Sequence, residues 1–266
     1  MLLKDMGKAG LAIMILGTTA CSSEPTDNAT PTDEPGTTSG SGATTSTNAD
    51  GTTSAGPVST GVAPASGHQW HRVNLGFVSA YVLYRDAEAT IVDTGVGGSE
   101  GSIETALGEV GLGWGDVGAV VVTHLHPDHQ GSLPAVISAT TDSLPWFAGA
   151  GDVAGISAPT PGQAVGDGDT VHQGLQIIET PGHTAGHISV LDPVAGILVA
   201  GDALNGADGG VVGPNPQFSP DMDLANASVV KLAGFDYEMA LFGHGEPVLS
   251  GASALVADLA ASLGSG

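Results

Sequence analysis

Three histidines and one aspartate lie within six consecutive residues, 124–129, of a Thr-His-Leu-His-Pro-Asp-His segment that begins at Thr123. An apolar run at residues 117–122 comes directly before it and predicts a buried strand that ends where the histidines begin. Neutral imidazole and carboxylate groups are ligands that divalent metals such as zinc prefer. Because the chain has only 9 histidines in 266 residues, their density at one strand end indicates a metal site.

The spacing within this segment determines which side chains can share an ion. His124 and His126 are two residues apart, so in an extended segment they point to the same side and can bind one ion. Pro127 bends the chain and starts a turn, after which Asp128 and His129 can face a second ion or the solvent side of the first. The ordinary alternative, a His-rich polar surface loop, is disfavoured by the ligand types found further along the chain.

Three further apolar runs end in histidine or aspartate beside glycine. The first is followed by Thr-Pro-Gly-His-Thr-Ala-Gly-His at residues 180–187, the second ends in Gly-Asp at 201–202, and the third ends in Gly-His-Gly at 243–245. Glycine permits close backbone approach at such strand ends. Each end alone could be a turn or a solvated histidine, but the four ends in this order form a joint metal-binding pattern.

This ordered set of motifs resembles the metallo-β-lactamase superfamily, and most closely its glyoxalase II-like and lactonase-like hydrolases. The resemblance extends over about residues 74–247, and Ile-Val-Asp-Thr-Gly at 91–95 is similar to the family's first strand-end motif. It implies an α+β fold, an αββα sandwich in which two β-sheets are flanked by helices.

The resemblance also implies a role for each side chain. Seven would bind two metal ions: His124, His126 and His183 the first, Asp128, His129 and His244 the second, and Asp202 both. Asp93 would orient ligands from below the site, and weaker candidates for that supporting role are Thr123, Thr184 and His187. For His187, ordinary structural hydrogen bonding is an equally open interpretation.

The implied cofactors are two Zn²⁺ ions, although iron or manganese suit the same nitrogen and oxygen ligands. Two such ions lower the pKa of a bridging water from about 15.7 to near 7 and polarise a carbonyl oxygen, which implies hydrolysis of an ester, thioester or lactone-type bond in a small molecule. Asp128 would be the catalytic residue, both a ligand and a proton carrier to the leaving group. The only cysteine, Cys21, lies outside the predicted folded region, which argues against thiol catalysis.

Apolar periodicity predicts the elements that position these motifs. Strands are predicted at residues 77–84, 89–92, 175–179, 188–191 and 196–200, with the first two joined through Arg85 and Asp86. Helices are predicted at residues 102–110, 132–138 and 252–263. A further helix, with Ser219 as N-cap and Pro220 in its first turn, would extend to about Leu232.

Two other functions stay open at this point. One is an exported β-lactamase, which Asp202 disfavours because most zinc β-lactamases lack such a bridge. The other is a metal-binding lipoprotein without catalytic activity, which the presence of all seven ligands disfavours. A di-iron redox role would require a glutamate at the place of His126.

The segment after Asp202 argues against some of the substrates that relatives in this superfamily use. Residues 203–217 contain no Lys or Arg, although glutathione-specific relatives use basic side chains there. Lactonases of the superfamily usually place a tyrosine near the position of Asn205. We expect residues 205–218 to form a mobile lid or substrate loop.

The N-terminal segment predicts export. Lys4 and Lys8 precede a mostly apolar stretch, residues 10–20, which is too short to span a bilayer as a stable helix. A small residue followed by Cys21 resembles a bacterial lipoprotein signal, although Thr18 stands where leucine is more usual. Lipidation at Cys21 would anchor the protein to the cell envelope, at the outer membrane or the periplasmic or extracellular face. A plain signal peptide cleaved near Ala20 is the alternative.

Composition divides the chain into three parts. Residues 1–21 are the predicted signal peptide, and residues 22–66 form a Ser/Thr/Gly/Pro-rich tether with too few large apolar side chains to fold. Residues 67–266 are the predicted hydrolase domain. With 5 Lys and Arg against 28 Asp and Glu, the net charge of −23 repels polyanions, so nucleic acid is not an expected partner. The sequence leaves the oligomeric state open.

Overall fold

Two β-sheets with helices on their outer faces make up the part of the chain that the computed structural model describes, residues 66–141 and 143–263. Cys21, the predicted signal peptide and nearly all of the predicted tether lie outside the described residues. The assignments made for them therefore stay predictions. Among the described helices, none is both long and apolar enough to cross a membrane.

The described residues form thirteen strands and five α-helices. The strands are β1 (Gln69–Asn74), β2 (Ser79–Arg85), β3 (Glu88–Val92), β4 (Val117–Val122), β5 (Trp146–Gly149), β6 (Gln163–Val165), β7 (Thr170–Val171), β8 (Leu175–Glu179), β9 (Ile188–Asp192), β10 (Ile197–Gly201), β11 (Asn205–Ala207), β12 (Gly210–Val212) and β13 (Met239–Phe242). The helices are α1 (Glu100–Glu109), α2 (Pro127–Gln130), α3 (Leu133–Ala139), α4 (Met222–Leu232) and α5 (Ala252–Leu263).

Strand direction brings the motif-bearing strand ends to common edges. The first sheet has the order β1-β2-β3-β4-β5-β6, in which β3 to β6 are mutually parallel. The second has the order β13-β10-β9-β8-β7, in which β10 and β13 are parallel and β8 runs in the same direction as both. The carboxyl ends of β3, β4 and β5 therefore share one edge, and those of β8, β10 and β13 share another.

Three apolar layers account for the continuous hydrophobic runs in the sequence. Val121 of β4 packs between the two sheets, whereas its neighbours Val120 and Val122 pack on the outer face with α1 and α3. In the second sheet Leu241 faces the first sheet and Phe242 faces α4 and α5. Strands that are covered on both faces read as unbroken apolar runs, as these do. This layering confirms the predicted αββα sandwich.

Two local predictions differ from the structure. The N-cap of α4 is Asp221, whose side chain accepts a hydrogen bond from the Leu224 backbone N–H at 2.9 Å, and the predicted N-cap Ser219 lies outside the helix. Residues 205–218, predicted as a loop throughout, contain the β11–β12 hairpin at their start. The predicted strand 175–179 and helix 252–263 have the bounds that the structure gives to β8 and α5.

Replacing Tyr81 with phenylalanine is expected to lower the free energy of unfolding by about 1–3 kcal/mol. The Tyr81 hydroxyl is buried between the sheets and donates to the Phe242 carbonyl at 2.8 Å, so the variant removes a buried hydrogen bond. Burial raises the pKa of Tyr81 to about 12, which keeps the hydroxyl protonated as a donor. Urea unfolding measures the effect. Tyr84→Phe is the control, because its hydroxyl bonds Gln69 at the exposed surface, and equal losses in both variants would contradict the prediction.

Candidate metal centre

The structure brings all seven predicted ligands together at the carboxyl ends of four strands. His124, His126, Asp128 and His129 follow β4, with the last two in the single turn of α2. His183 follows β8, Asp202 follows β10, and His244 follows β13. Three groups of these side chains have ligand atoms within 4.8 Å of one another and could hold a metal ion: His124, His126 and His183; His124, His129 and Asp202; Asp128, His129 and His244.

The first group is a cluster of three imidazoles. His126 Nδ1 lies 3.0 Å from His124 Nε2 and 2.9 Å from His183 Nε2. Ligand atoms of a tetrahedral zinc ion, with Zn–N bonds of about 2.0–2.1 Å, are roughly 3.4 Å apart. The two measured distances are within about 0.5 Å of this spacing, and all three nitrogens lie within 4.8 Å of one another, so one zinc ion could bind them together.

The third group contains two imidazoles and a carboxylate. The Oδ2 atom of Asp128 lies 3.4 Å from His244 Nε2 and 3.9 Å from His129 Nε2. Asp202 stands between this group and the first, with Oδ2 3.3 Å from His183 Nε2 and 3.2 Å from His244 Nε2. Its Oδ1 atom lies 3.4 Å from His129 Nε2. A carboxylate in this position can contact ions in both groups.

Two buried polar atoms of the site have no hydrogen-bond partner within the described part of the chain: His129 Nε2 and Asp202 Oδ1. Leaving a buried polar atom unpaired costs about 1–3 kcal/mol, and native proteins rarely do so. Both atoms point into the cluster, where a divalent cation would satisfy an imidazole lone pair and a carboxylate at once. The donor set and these unpaired atoms therefore fit a divalent metal.

Asp93 and Thr123 hold the imidazoles on the first sheet in one orientation. Asp93 accepts hydrogen bonds from the Thr123 backbone N–H at 2.7 Å, from the Thr123 hydroxyl at 2.8 Å and from His129 Nδ1 at 2.8 Å. The Thr123 hydroxyl also lies 3.0 Å from His124 Nδ1. With the Nδ1 atoms of His124 and His129 engaged in this way, their Nε2 lone pairs face the cluster. Asp93 is thus positioned to orient His129 directly and His124 through Thr123.

His183 and His244 are oriented by groups that the sequence did not indicate. His183 Nδ1 lies 3.1 Å from the Ser219 hydroxyl, and His244 Nδ1 donates to the Phe77 carbonyl at 2.6 Å. Ser219 had an ordinary interpretation as a helix N-cap. Phe77 acts through its backbone, so its residue type carries no signal.

His187 is not among the clustered ligands but supports Asp202. Its Nε2 atom accepts a hydrogen bond from the Asp202 backbone N–H at 3.0 Å, and its Nδ1 atom lies 2.8 Å from the Thr180 hydroxyl. Burial lowers the pKa of His187 to about 3, so the ring is neutral and can accept at Nε2 while Nδ1 donates.

Asp152, which the sequence analysis missed, forms hydrogen bonds to both of the loops that carry His124 and His183. This fully buried carboxylate accepts from the Thr184 hydroxyl at 2.5 Å, the Leu125 backbone N–H at 3.0 Å and the Gly186 backbone N–H at 2.7 Å. Thr184 therefore acts through Asp152 and touches none of the clustered ligands in these contacts. In the sequence, the only indication of this role is that Asp152 follows β5, at the same sheet edge as Asp93.

Charge is distributed unevenly across the cluster. Burial lowers the pKa of His183 to about 4 and holds that of His124 well below its usual value. Hydrogen bonds to Asp128 and Asp202 raise the pKa of His244 to about 10. Burial opposes the ionisation of Asp202, but neighbouring His129, His244 and His183 hold its pKa below the usual range. Burial opposes protonation of His129, but neighbouring Asp93 and Asp202 raise its pKa above the usual value. Without a metal, protonation is thus favoured at His129 and His244, which lie beside the carboxylates, and disfavoured at His124 and His183.

A cleft of about 960 Å³ opens over the cluster. The side chains of His126, Asp128, His183, Asp202 and His244 line its floor. Those of His126, Asp128 and His244 are partly exposed, whereas His183 and Asp202 are buried. Segments around the β11–β12 hairpin, α4 and α5 form its walls.

Comparison with known families and proteins gives consistent results. The family described as the metallo-beta-lactamase superfamily matches residues 73–244. The probable metallo-hydrolase YflN of Bacillus subtilis (strain 168) is 27% identical over 224 residues, covering 67% of this chain and 84% of that protein. A hydroxyacylglutathione hydrolase of Cupriavidus metallidurans is 30% identical over 137 residues, but the match spans only 48% of its length and 47% of this chain. The crystal structure of a metallo-beta-lactamase family protein from Thermus thermophilus superposes with a TM-score of 0.59 at 22% identity, covering 75% of this chain and 80% of that one.

Proposed function

This chain belongs to the metallo-β-lactamase superfamily and is a metal-dependent hydrolase, and from this we propose that it uses two zinc ions to cleave an ester, thioester or lactone-type carbonyl bond. The observation that carries the proposal is the convergence of five imidazoles and two carboxylates, with His129 Nε2 and Asp202 Oδ1 buried and otherwise unpaired among the described residues. The ligand roles assigned from the sequence are part of this proposal.

The proposed mechanism assigns separate tasks to these side chains. His124, His126 and His183 would hold one ion, Asp128, His129 and His244 the other, and Asp202 both. When bound, the two ions would lower the pKa of a shared water and polarise the substrate carbonyl. Asp128 faces the cleft, and the hydrogen bond from His244 keeps its pKa low, so it is a carboxylate at neutral pH. It would take the proton of the water and pass it to the leaving group.

Metal analysis and a substrate panel test this function together. The purified protein should contain about two zinc ions per chain and hydrolyse at least one class among esters, lactones and thioesters, with β-lactams and phosphoesters as comparison classes. Asp128→Asn should lose most of this activity, and Asp208→Asn, in the exposed turn of the β11–β12 hairpin, should lose none. A protein with two zinc ions that hydrolyses nothing in the panel would overturn the proposal in favour of a non-catalytic metal-binding protein.

Zinc uptake at neutral pH is expected to release at least about one proton per chain, because a ligand must be deprotonated to bind. The raised pKa of about 10 keeps His244 protonated in the metal-free protein at pH 7–8. The apparent zinc affinity should therefore decrease as pH falls, by about tenfold per pH unit for each proton released. Calorimetry in buffers of different ionisation enthalpy counts the protons. His71→Ala, which removes a histidine paired with Glu109 away from the cluster, should leave the count unchanged, whereas uptake without proton release would contradict the prediction.

We also propose export and lipid attachment at Cys21, on the strength of the N-terminal sequence. Replacing Cys21 with alanine is expected to shift the protein from the membrane fraction to the soluble fraction, since it removes the sulfur atom that would carry an acyl chain. Fractionation and detergent phase partitioning measure the shift, with Ser22→Ala as the matched control. Equal membrane association of the Cys21 variant and the wild type would rule out this anchor.

A further inference from the structure

We propose that the cleft selects a neutral substrate with an apolar arm and disfavours substrates that carry a carboxylate on that arm. This inference rests on the proposed hydrolytic function and names the substrate class of the same site. The side chains of the cleft walls support it, because most of them are apolar, whereas the floor consists of histidine and aspartate side chains.

The walls are apolar and partly open to solvent. Six large apolar side chains line the cleft: Phe77, Val212, Phe218, Met222, Leu259 and Leu263. Phe77 is 64% exposed and Phe218 is 60% exposed, although side chains of this size are usually covered. Apolar side chains that are exposed together around a concave site are typical of a surface that an apolar ligand covers.

The walls come from separate parts of the chain, so apolar side chains flank the cluster of candidate ligands on more than one side. Phe77 lies between β1 and β2 and stacks on His244, with ring centroids 6.2 Å apart. Val212 ends β12, against which α5 packs, and Leu259 and Leu263 lie on the last turns of α5. An apolar arm can therefore extend from the cluster between the hairpin and α5.

No cation from the described part of the chain is available on these walls. The described basic side chains, Arg72, Arg85 and Lys231, are absent from the cleft lining and are engaged elsewhere. Arg72 binds Glu246 at 2.7 Å and the Gly245 carbonyl at 2.9 Å. Lys231 binds the Glu179 carbonyl at 2.9 Å, and Arg85 binds the Gln173 carbonyl at 2.7 Å.

A carboxylate on the arm would thus lose its hydration without gaining a partner, which is strongly unfavourable. The polar side chains of the walls are the uncharged amides Asn205, Asn215 and Asn226, which suit neutral hydrogen-bonding groups. The net charge of −23 further repels anions on approach. Ligands with several carboxylates, such as glutathione conjugates, are therefore poor matches for this cleft.

A matched set of esters tests the selection on the zinc-loaded protein. For p-nitrophenyl esters from acetate to octanoate, kcat/KM should rise with length, by up to about fourfold per CH₂ group. The p-nitrophenyl monoester of octanedioic acid has the length of the octanoate ester but ends in a carboxylate. We expect its kcat/KM to be at least about tenfold lower than that of the octanoate ester.

Variants of the walls assign the effect to this cleft. Leu259→Ala should flatten the dependence on chain length, mainly through KM, whereas Leu255→Ala, on the same helix but outside the cleft, should preserve it. Asn226→Lys should reduce the difference between the octanoate and octanedioate esters by about tenfold, because it supplies the missing cation. Asn226→Met, of similar size but uncharged, should not. All four variants should keep the zinc content of the wild type.

A binding measurement separates this inference from the proposed function. Octanamide should bind at least about tenfold more tightly than an amide of the same length that ends in a sulfonate, by calorimetry, which requires no turnover. A sulfonate carries the charge of a carboxylate but is a much weaker zinc ligand, so its binding reports on the walls. Equal or preferred binding of this anionic amide, or equal or preferred hydrolysis of the octanedioate ester, would overturn the inference and leave hydrolysis intact. Selective binding of octanamide, combined with no hydrolysis of any carbonyl substrate, would support the inference and overturn the proposed function.

Discussion

Gly243→Ala is expected to remove at least one metal ion and to reduce kcat/KM by at least about 100-fold, the scale of loss that a misplacement of about 1 Å causes. A Cβ atom at Gly243 would lie 2.2 Å from Asp202 Oδ1 and 2.6 Å from His129 Cε1. Neither side chain can retreat freely. Asp93 holds the ring of His129, while His187 holds the backbone N–H of Asp202. The carboxylate or the imidazole must therefore leave its position in the cluster.

Metal content, activity and thermal unfolding together test this prediction. Gly101→Ala is the matched control, because a Cβ at this position in α1 meets no atom within 4 Å. It should keep the metal and the activity, and the alanine should slightly favour the helix. A Gly243→Ala protein with two bound ions and more than half of the wild-type activity would show that the cluster tolerates the added atom, contrary to the steric argument.

Asp202→Asn is expected to have an effect of similar size by a different route. Asparagine preserves the shape of the side chain but removes the charge that lies between His183 and His244. Loss of groups that merely orient metal ligands already costs about 10–100-fold in metal affinity, so loss of a direct, shared ligand should cost at least about 100-fold in activity. The variant should either lose one of the two zinc ions or hold the two ions at a different distance from each other.

Zinc titration and kinetics of Asp202→Asn measure both effects. Asp208→Asn again serves as the control, since this exposed residue adopts a left-handed backbone conformation that asparagine tolerates. If Asp202→Asn binds two zinc ions with unchanged affinity and retains full activity, Asp202 does not bridge them.

The clustering of the seven candidate ligands could be predicted from the sequence because residue type and position indicate the same site. A histidine or aspartate that follows an apolar strand has few structural reasons to be there, and four such strand ends reinforced one another. Their convergence follows from strand direction, since parallel strands present their carboxyl ends at one edge. The αββα sandwich was predicted from the resemblance to the superfamily, whereas the apolar runs predicted only the buried strands within it.

The supporting contacts could not be predicted, because they join distant residues with ordinary local interpretations. Ser219 and Asp221 are both good N-cap residues around Pro220, and only the folded chain shows that Asp221 caps α4 while Ser219 meets His183. Asp152 reads locally as a turn residue after Gly151. Its partners are Leu125, Thr184 and Gly186, which come close only when the two sheets are packed.

The contribution of both sheets to one cluster has a kinetic consequence. His124 comes from the first sheet and His183 from the second, and Asp152 joins their loops, so the cluster forms only after the two sheets have docked. An ion held there stabilises the finished fold, by about 4 kcal/mol at a thousand times its dissociation constant. It should assist nucleation little, because residues 124–129 supply only part of the ligand set and the other ligands, His183, Asp202 and His244, are far away along the chain. Metal acquisition should therefore slow unfolding much more than it speeds folding, which gives the loaded protein a longer native lifetime.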